Sequence, residues 1–224
     1  MTALAERLAA LDARIADAAR AVGRDPGELT RIVVTKFHPA RLIDDLAALG
    51  VHDVGESRQQ ELSAKRAETA GRVHDVRWHF IGQLQTKKAK AVRAASDCVH
   101  SVDRDRVADA LHAADPEGSP LDVFLQVNLT DDPARGGAAP SEVDALATHI
   151  AARCASLRLR GVMAVAPLAA APAEAFERLA GAAATVRRVV PDAAWMSAGM
   201  SGDFAEAIAA GATHLRIGTA ITGP

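Results

Sequence analysis

The sequence predicts an α/β fold, a single (β/α)8 TIM barrel with an extra N-terminal helix. The chain has 224 residues and is 49 % hydrophobic, and short runs rich in β-branched residues alternate along it with Ala-rich amphipathic stretches. One α/β barrel usually takes ~200 to 250 residues. We therefore expect one domain over residues 1–224.

The opening segment predicts the extra helix. Its apolar residues recur at spacings of three and four, as on one face of a helix, and Gly23 is typical of a helix end. The residues of this apolar face are Leu4, Leu8, Leu11, Ile15, Ala19 and Val22.

After Gly23 the chain repeats one unit eight times, a β-branched run followed by a polar loop and an amphipathic stretch. Such alternation predicts parallel strands joined by helical crossovers, and eight strands close into a barrel. Segments 130–140 and 167–172 are predicted to be loops. The predicted strands are 31–36, 52–56, 77–82, 98–103, 121–129, 159–165, 194–200 and 214–218, and the predicted helices include 39–49, 57–70, 86–95, 141–155, 173–190 and 203–210.

A doubly wound open sheet is the alternative fold. Two features argue against it. No run contains the G-x-G-x-x-G fingerprint, and the predicted strands outnumber the five or six that such sheets usually have.

Composition excludes several classes of partner. The net charge is −2 and the basic residues are dispersed, so a nucleic-acid partner is not expected. No stretch approaches the ~20 apolar residues of a membrane span, and residues 1–20 lack the apolar core of an export signal. Cys98 and Cys154 are too few for a disulfide framework or a metal knuckle. We expect a cytoplasmic protein without a metal site.

Lys36 is the first candidate functional residue, because it ends the first predicted strand. Barrel enzymes and binding proteins place their functional groups at the carboxyl ends of the strands. Apolar neighbours there would disfavour the charged amine. A neutral amine can form a Schiff base with an aldehyde, and pyridoxal 5'-phosphate (PLP) is the commonest aldehyde cofactor. By position alone, however, a lysine at a strand end is usually a solvated end-cap.

Two loops near the end of the chain predict a phosphate site. Gly199-Met200-Ser201-Gly202-Asp203 follows the seventh strand and leads into a helix, whose unpaired amides and dipole attract an anion. The eighth strand ends in Gly218-Thr219, and barrels frequently bind phosphate after strands seven and eight. Alternatively, Asp203 caps its helix and the glycines form turns.

Five motifs together resemble one family. They are VTKFHP at 34–39, VGESRQQE at 54–61, WHFIGQLQ at 78–85, HSVD at 100–103 and the tail 199–223. The chain resembles the PLP homeostasis proteins, whose fold is similar to the N-terminal barrel of alanine racemase.

The resemblance implies a set of cofactor-binding residues and no catalytic residue. Lys36 would hold PLP as a Schiff base, and Arg216 would face the pyridine nitrogen. A guanidinium only donates, so that nitrogen should stay unprotonated, which makes the ring a poorer electron sink. Ser201, Gly218 and Thr219 would bind the phosphate, while His79, Met200 and Asn128 would line the pocket.

Several positions depart from the family pattern. Ser57 stands where an Asn usually follows Gly-Glu, which puts a side-chain contact from that loop in doubt. Phe37 and His38 replace small polar residues after Lys36, and Arg135 replaces a lysine. His38 is interpreted as a solvent-facing loop residue.

The resemblance favours a PLP-binding protein of intracellular vitamin B6 homeostasis over an enzyme. A two-base racemase needs a second acid–base group opposite the lysine, which in alanine racemase is a tyrosine of a separate C-terminal domain. This chain has no tyrosine and ends at Pro224. A racemase-like PLP enzyme and a barrel enzyme acting on a phosphorylated metabolite without PLP remain alternatives. PLP-dependent apoenzymes are candidate protein partners, and the chain is expected to be a monomer or a weak homodimer.

Overall fold

The structure, a computed structural model, describes residues 2–132, 134–168 and 170–223. Within these residues eight parallel strands form a closed barrel in chain order, and the eighth pairs with the first. The (β/α)8 TIM barrel is confirmed. The strands are β1 Thr30–Val34, β2 Asp53–Glu56, β3 Arg77–Phe80, β4 Cys98–Val102, β5 Leu121–Gln126, β6 Leu157–Met163, β7 Trp195–Ser197 and β8 His214–Ile217.

Helices surround this barrel. The predicted extra helix is α1, Ala3–Ala21, which begins at the N-cap Thr2 and buries one apolar face. No helix in the described ranges is long and apolar enough to cross a membrane. The other α-helices there are α2 Arg41–Ala48, α3 Gln59–Thr69, α4 Ala89–Ala95, α5 Asp105–Ala114, α6 Val143–Arg153, α7 Pro172–Val189, α8 Phe204–Ala209 and α9 Thr219–Thr222.

Several predicted boundaries were wrong at the carboxyl ends of strands. β1 stops at Val34 and not at Lys36, because the backbone turns after Thr35, where His38 N donates to the carbonyl of Thr35. β5 stops at Gln126 and not at residue 129, because the amide of Asn128 bonds the carbonyl of Ala138 in its own loop. β7 has three residues where seven were predicted. Helices α5 and α9 were not among the predicted elements.

The predicted loops 130–140 and 167–172 each contain one residue, Pro133 and Ala169, outside the described residues. The described positions of both segments are irregular, except that a 3-10 helix begins at Pro140 and α7 begins at Pro172.

Side-chain alternation divides the buried residues into two layers. Residues between strands and helices are apolar, as with Val33, Phe80 and Val99 in the main hydrophobic cluster. The barrel interior instead contains polar side chains with almost no exposure. These are His79, His100, Ser197, His214 and Arg216.

Candidate functional site

The pairing of β1 with β8 brings the predicted lysine and phosphate loops together. Ile32 pairs with Arg216 and Val33 with Ile217, so Lys36 and Gly218 leave the same end of neighbouring strands. A Cβ placed on Gly218 would lie 3.6 Å from the Cβ of Val34. This end is the carboxyl end of the strands, where barrels place their functional groups.

Lys36 lies in an exposed turn just beyond β1. Its amine is 5.6 Å from the ring centroid of Phe37, and it makes no hydrogen bond or ion pair with the described residues. The apolar surroundings expected from the sequence are absent, because the strand ends before the lysine. The amine is accessible to a ligand entering the mouth.

The turn that carries Lys36 has a strained backbone. Among the described residues, Phe37 is the one non-glycine residue with a positive φ, 68°. This backbone conformation costs roughly 1 to 2 kcal/mol. Its N–H donates to Glu61 Oε2 at 3.0 Å, and Arg58 lies 4.6 Å from its ring centroid. The bond from Phe37 lowers the pKa of Glu61. Strain held in this way is typical of functional turns.

A buried ion pair supports the same turn from below. Lys65 Nζ donates to Glu56 Oε1 at 2.7 Å and to the carbonyl of Thr35 at 2.8 Å. Thr35 Oγ1 donates to the same carboxylate oxygen at 2.6 Å. Sequence reasoning missed this pair, although an acid ending the run Val54-Gly55-Glu56 is a signal of a buried carboxylate that needs a partner.

The loop after β7 is a tight turn that depends on Gly199. Its φ is 89°, and a Cβ there would lie 2.8 Å from the Cβ of Ala207 in α8. Met200 N donates to Asp203 Oδ1 at 2.6 Å, so this carboxylate closes the turn and does not cap α8. Met200 itself is exposed.

Two backbone amides of these loops lack a hydrogen-bond partner within the described part of the chain. Among the described residues, the N–H groups of Ser201 and Thr219 donate to no acceptor. The amide of Arg216 donates to the carbonyl of Gly199 at 2.9 Å, which ties β8 to the loop after β7. Together the two loops form a cradle of free donors suited to an anion.

Arg216 is buried in the barrel directly below this cradle. Nη1 donates to Ser197 Oγ at 2.6 Å and Nη2 to the carbonyl of Ala164 at 2.8 Å. Burial lowers the pKa of Arg216 to about 10, and Asp203 opposes that shift. The guanidinium is therefore cationic at neutral pH and has further N–H groups to offer.

Two predicted pocket residues have other contacts. Asn128 uses its side chain within its own loop, donating to the carbonyls of Asp132 and Arg135 and accepting from Thr130. His79 is fully buried in the barrel, between Asp53 and His100. Neither side chain meets Lys36 directly.

Three histidines share the barrel interior, and sequence reasoning singled out His79 alone. The His100 and His214 ring centroids lie 5.1 and 6.5 Å from that of His79. Burial lowers the pKa of His79, takes that of His100 far below its usual range, and lowers that of His214 to about 3. All three are neutral at physiological pH. The missed signal was a polar residue alternating with apolar ones in a strand, as in Val99-His100 and His214-Leu215.

The loops after β2 and β3 complete the mouth. A Cβ on Gly82 would lie 1.9 Å from the carbonyl oxygen of Ser57, so only glycine permits this approach. The Ser57 side chain makes no hydrogen bond with the described residues, and His38 is half-buried in the turn after Lys36.

A cavity of about 750 Å³ opens at the opposite end of the barrel. Its wall includes Arg77, Asp122 and Arg158, and both arginines pair with the aspartate. These charges satisfy one another at the amino-terminal face, which in barrels serves stability. We therefore place the candidate site at the mouth.

Comparison with known proteins shows the family to which the chain belongs. The family model of the alanine racemase N-terminal domain matches residues 7–224. The PLP homeostasis protein of Mycobacterium tuberculosis is 39% identical over 99% of this chain and 92% of its own length, and that of Escherichia coli K12 is 38% identical over 100% and 97%.

Solved structures show the same fold. PipY of Synechococcus elongatus, solved without PLP, has a TM-score of 0.87 at 34% identity and covers 98% of this chain and 100% of its own. The same protein with PLP bound has a TM-score of 0.85. Alanine racemase from Corynebacterium glutamicum, 14% identical, shares the fold with a TM-score of 0.71. The chain thus belongs to the family of pyridoxal phosphate homeostasis proteins, which is built on the alanine racemase N-terminal domain.

Proposed function

We propose that this chain binds PLP reversibly through Lys36 and serves intracellular vitamin B6 homeostasis. The observation that carries the proposal is the meeting, at one end of the barrel, of an accessible amine with a cradle of free backbone amides. These groups fit a phosphorylated aldehyde. PLP supplies an aldehyde that condenses with a primary amine, and the relatives compared above are named for PLP homeostasis.

Ser201, Gly218 and Thr219 would hold the phosphate. The free N–H groups of Ser201 and Thr219 and both hydroxyls can donate to phosphate oxygens. Gly218 lets the backbone of β8 turn into α9 beside Val34. Gly199 allows the loop after β7 to lie close to α8, which would bring these donors toward the same phosphate.

Arg216 would face the pyridine nitrogen as a donor. Two of its nitrogens are held by Ser197 and the carbonyl of Ala164, so the guanidinium is fixed before a ligand arrives. A group that keeps its protons cannot accept one from the ring, so the ring nitrogen opposite it would stay unprotonated. Arg216 thereby favours holding the cofactor over stabilising a substrate carbanion.

The remaining predicted site residues would act at greater distance. Met200 is exposed on the loop after β7 and can cover a bound ring by rotating its flexible side chain. Asn128 would act by shaping its loop, and His79 through its buried contacts. Ser57 would contribute only its backbone. The longer amide side chain of the Asn that is usual at this position could reach the ligand.

A racemase-like enzyme is the second candidate function, favoured by the fold shared with alanine racemase. Proton return to the second face of Cα needs an acid–base group opposite Lys36. The three barrel histidines and both cysteines are buried, His38 lies in the same turn as Lys36, and the 224 residues include no tyrosine. We therefore infer a carrier or regulator without robust turnover.

Cellular context forms part of the same proposal. Both cysteines are free and buried, which suits a reducing cytoplasm. PLP-dependent apoenzymes are the class of protein that would receive or compete for the cofactor. A protein that acts as a monomer or a weak dimer leaves the mouth open for such exchange.

Equilibrium binding tests the proposal. Purified protein is titrated with PLP beside Lys36→Ala and the matched control Lys87→Ala, which removes an amine in the 3-10 helix Thr86–Lys88. We expect wild type and Lys87→Ala to bind equally and Lys36→Ala to lose the covalent component. Equal binding by all three variants would refute the role of Lys36.

Rapid Lys36-dependent deuterium exchange at Cα of an amino acid would favour the racemase-like function. Absence of PLP binding, with affinity for another phosphorylated metabolite, would favour the third alternative.

A further inference from the structure

Five buried or half-buried side chains form an unbroken hydrogen-bond chain through the barrel. Asp53 Oδ1 lies 2.8 Å from His79 Nε2, and His79 Nδ1 lies 2.8 Å from His100 Nε2. His100 Nδ1 lies 2.9 Å from Ser197 Oγ, which accepts from Arg216 Nη1 at 2.6 Å. The hydrogen-bond chain runs from the start of β2, at the amino-terminal end of the strands, to the guanidinium below the mouth.

The two ends of this chain determine which atoms donate. A carboxylate can only accept, so Asp53 requires an N–H on His79 Nε2. A neutral imidazole has a single N–H, so His79 Nδ1 must accept from His100 Nε2. His100 Nδ1 then accepts from the Ser197 hydroxyl. Ser197 is left with a lone pair for Arg216, which can only donate.

The reverse order is unfavourable at Asp53. It would place the lone pair of His79 Nε2 against the Asp53 carboxylate, so two acceptors would face each other and the fully buried His79 Nε2 would lack a hydrogen bond. It would also make Ser197 accept from both His100 and Arg216, with its own hydrogen left to find another acceptor.

The histidines are neutral, so each ring has the single N–H on which this order of donors and acceptors depends. Burial lowers the pKa of His79 more than Asp53 raises it, and Arg77 adds to the lowering while Asp97 opposes it. For His100, burial is joined by the nearby His79, Arg216 and His214, which all lower the pKa. Cys98, whose pKa is raised by burial, stays a neutral thiol beside them.

We propose that Asp53 is a positioning residue for Arg216, which acts through His79, His100 and Ser197 by setting the direction of every hydrogen bond between them. Asp53 lies at the opposite end of the barrel from the ligand, so it would contribute without touching PLP. The consequence for PLP rests on the proposed function, because it requires Arg216 to face the cofactor. The direction of the chain itself does not, and it can be measured in protein without PLP.

Histidine tautomers report this direction. Protein labelled with 15N-histidine and free of PLP is studied by long-range 1H–15N correlation near neutral pH. We expect His79 and His100 to be neutral with the proton on Nε2. Asp53→Asn can present either its oxygen or its NH2 group to His79, so the Nε2–H form of both rings should decline toward a mixture. The matched control is Asp44→Asn, which removes a carboxylate from an ion pair with half-exposed Arg72 and should change neither ring.

Ser197→Ala shows whether Asp53 or Arg216 sets the direction of the hydrogen bonds between the histidines. It cuts the chain between His100 and Arg216 but leaves Asp53 in place, so both histidines should keep the proton on Nε2. A proton on Nδ1 of His79 or His100 in wild type would overturn the proposal, whether or not the variants fold. So would unchanged tautomers in Asp53→Asn, or changed tautomers in Ser197→Ala.

The rate of PLP dissociation is measured in a separate experiment. PLP should dissociate faster from Asp53→Asn than from wild type, while Asp44→Asn matches wild type. Tautomers as expected with no PLP binding by wild type would refute the proposed function and leave the positioning chain intact. PLP binding with the wrong tautomers would refute the chain alone.

Discussion

Arg216 donates to the hydroxyl of Ser197 in a hydrogen bond of 2.6 Å that is closed to solvent inside the barrel. The two residues lie on neighbouring strands, β8 and β7. Because a buried guanidinium is stable only when its donors are satisfied, Ser197 is one of two acceptors that allow a cation at this position.

Ser197→Ala should therefore destabilise the protein. It leaves Nη1 of Arg216 without its acceptor, and a buried donor without a partner costs about 1 to 3 kcal/mol. Urea unfolding measures this free energy. Ser141 is exposed, and its side chain makes no hydrogen bond with the residues that the structure describes. Ser141→Ala is therefore the control and should shift the free energy of unfolding by less than about 0.5 kcal/mol. Equal shifts for the two variants would contradict the account.

Lys65→Met should be among the more destabilising single changes. It strands the Glu56 carboxylate, which is buried below Lys36, and breaking a buried pair by removing one partner costs about 3 to 5 kcal/mol. Arg72→Met breaks the more exposed pair with Asp44 and should cost at most about 1 kcal/mol. Chemical denaturation of both variants makes the comparison, and a similar loss for the two would show that Glu56 is not effectively buried.

Gly199→Ala should weaken both the fold and PLP binding. At φ 89° a Cβ would lie 2.8 Å from Ala207, and the left-handed backbone alone costs roughly 1 to 2 kcal/mol in a residue with a Cβ. Gly202 in the same loop has nothing within 4 Å of its Cβ position, so Gly202→Ala is the matched control for thermal unfolding. Thermal unfolding and PLP titration measure the two effects. The phosphate cradle would be misplaced if Gly199→Ala bound PLP as wild type does.

Stability should fall as the pH drops below about 6.5, because the barrel buries neutral histidines. The pKa of His214 is lowered to about 3 in the folded protein, whereas in the unfolded chain it is near 6.5. Between these values the unfolded state binds the extra proton, so stability is complete above the unfolded pKa and is lost as pH falls toward the folded pKa. Each such histidine contributes a slope of up to about 1.4 kcal/mol per pH unit.

His214→Phe should reduce that slope, since it removes one titrating group from the interior. His74→Gln replaces an exposed histidine and should leave the slope unchanged. Urea unfolding between pH 4 and 7, values chosen to span roughly this window, makes the measurement. An identical slope in His214→Phe and wild type would mean that the residue titrates alike in both states.

The sequence was sufficient to predict the eight-stranded barrel and the loops that face its mouth. β-branched runs favour strands and Ala-rich amphipathic runs favour helices. Both preferences are local, and the folded chain keeps them. The tail 199–223 likewise carries its glycines and hydroxyls in local order, so Gly199, Ser201 and Gly218 could be placed in loops before the structure was known.

The interior network could not be predicted, because its partners are distant in the chain. His79 and His100 are brought together by adjacent strands, and Arg216 meets Ser197 only once the barrel closes. The exposed setting of Lys36 matches the alternative of a solvated strand-end lysine and not the apolar setting that was expected for a Schiff-base lysine. It depends on where β1 stops, at the turn in which His38 N donates to the carbonyl of Thr35.

Mapping the covalent attachment of PLP tests the central claim most directly. Protein loaded with PLP is reduced with borohydride, digested and analysed by peptide mass spectrometry, which distinguishes the lysines at positions 36, 65, 87, 88 and 90. We predict that the reduced pyridoxyl group is found on Lys36, and that Lys36→Ala loses it while Lys87→Ala keeps it. Labelling spread evenly over the exposed lysines, or no labelling at Lys36, would contradict the account.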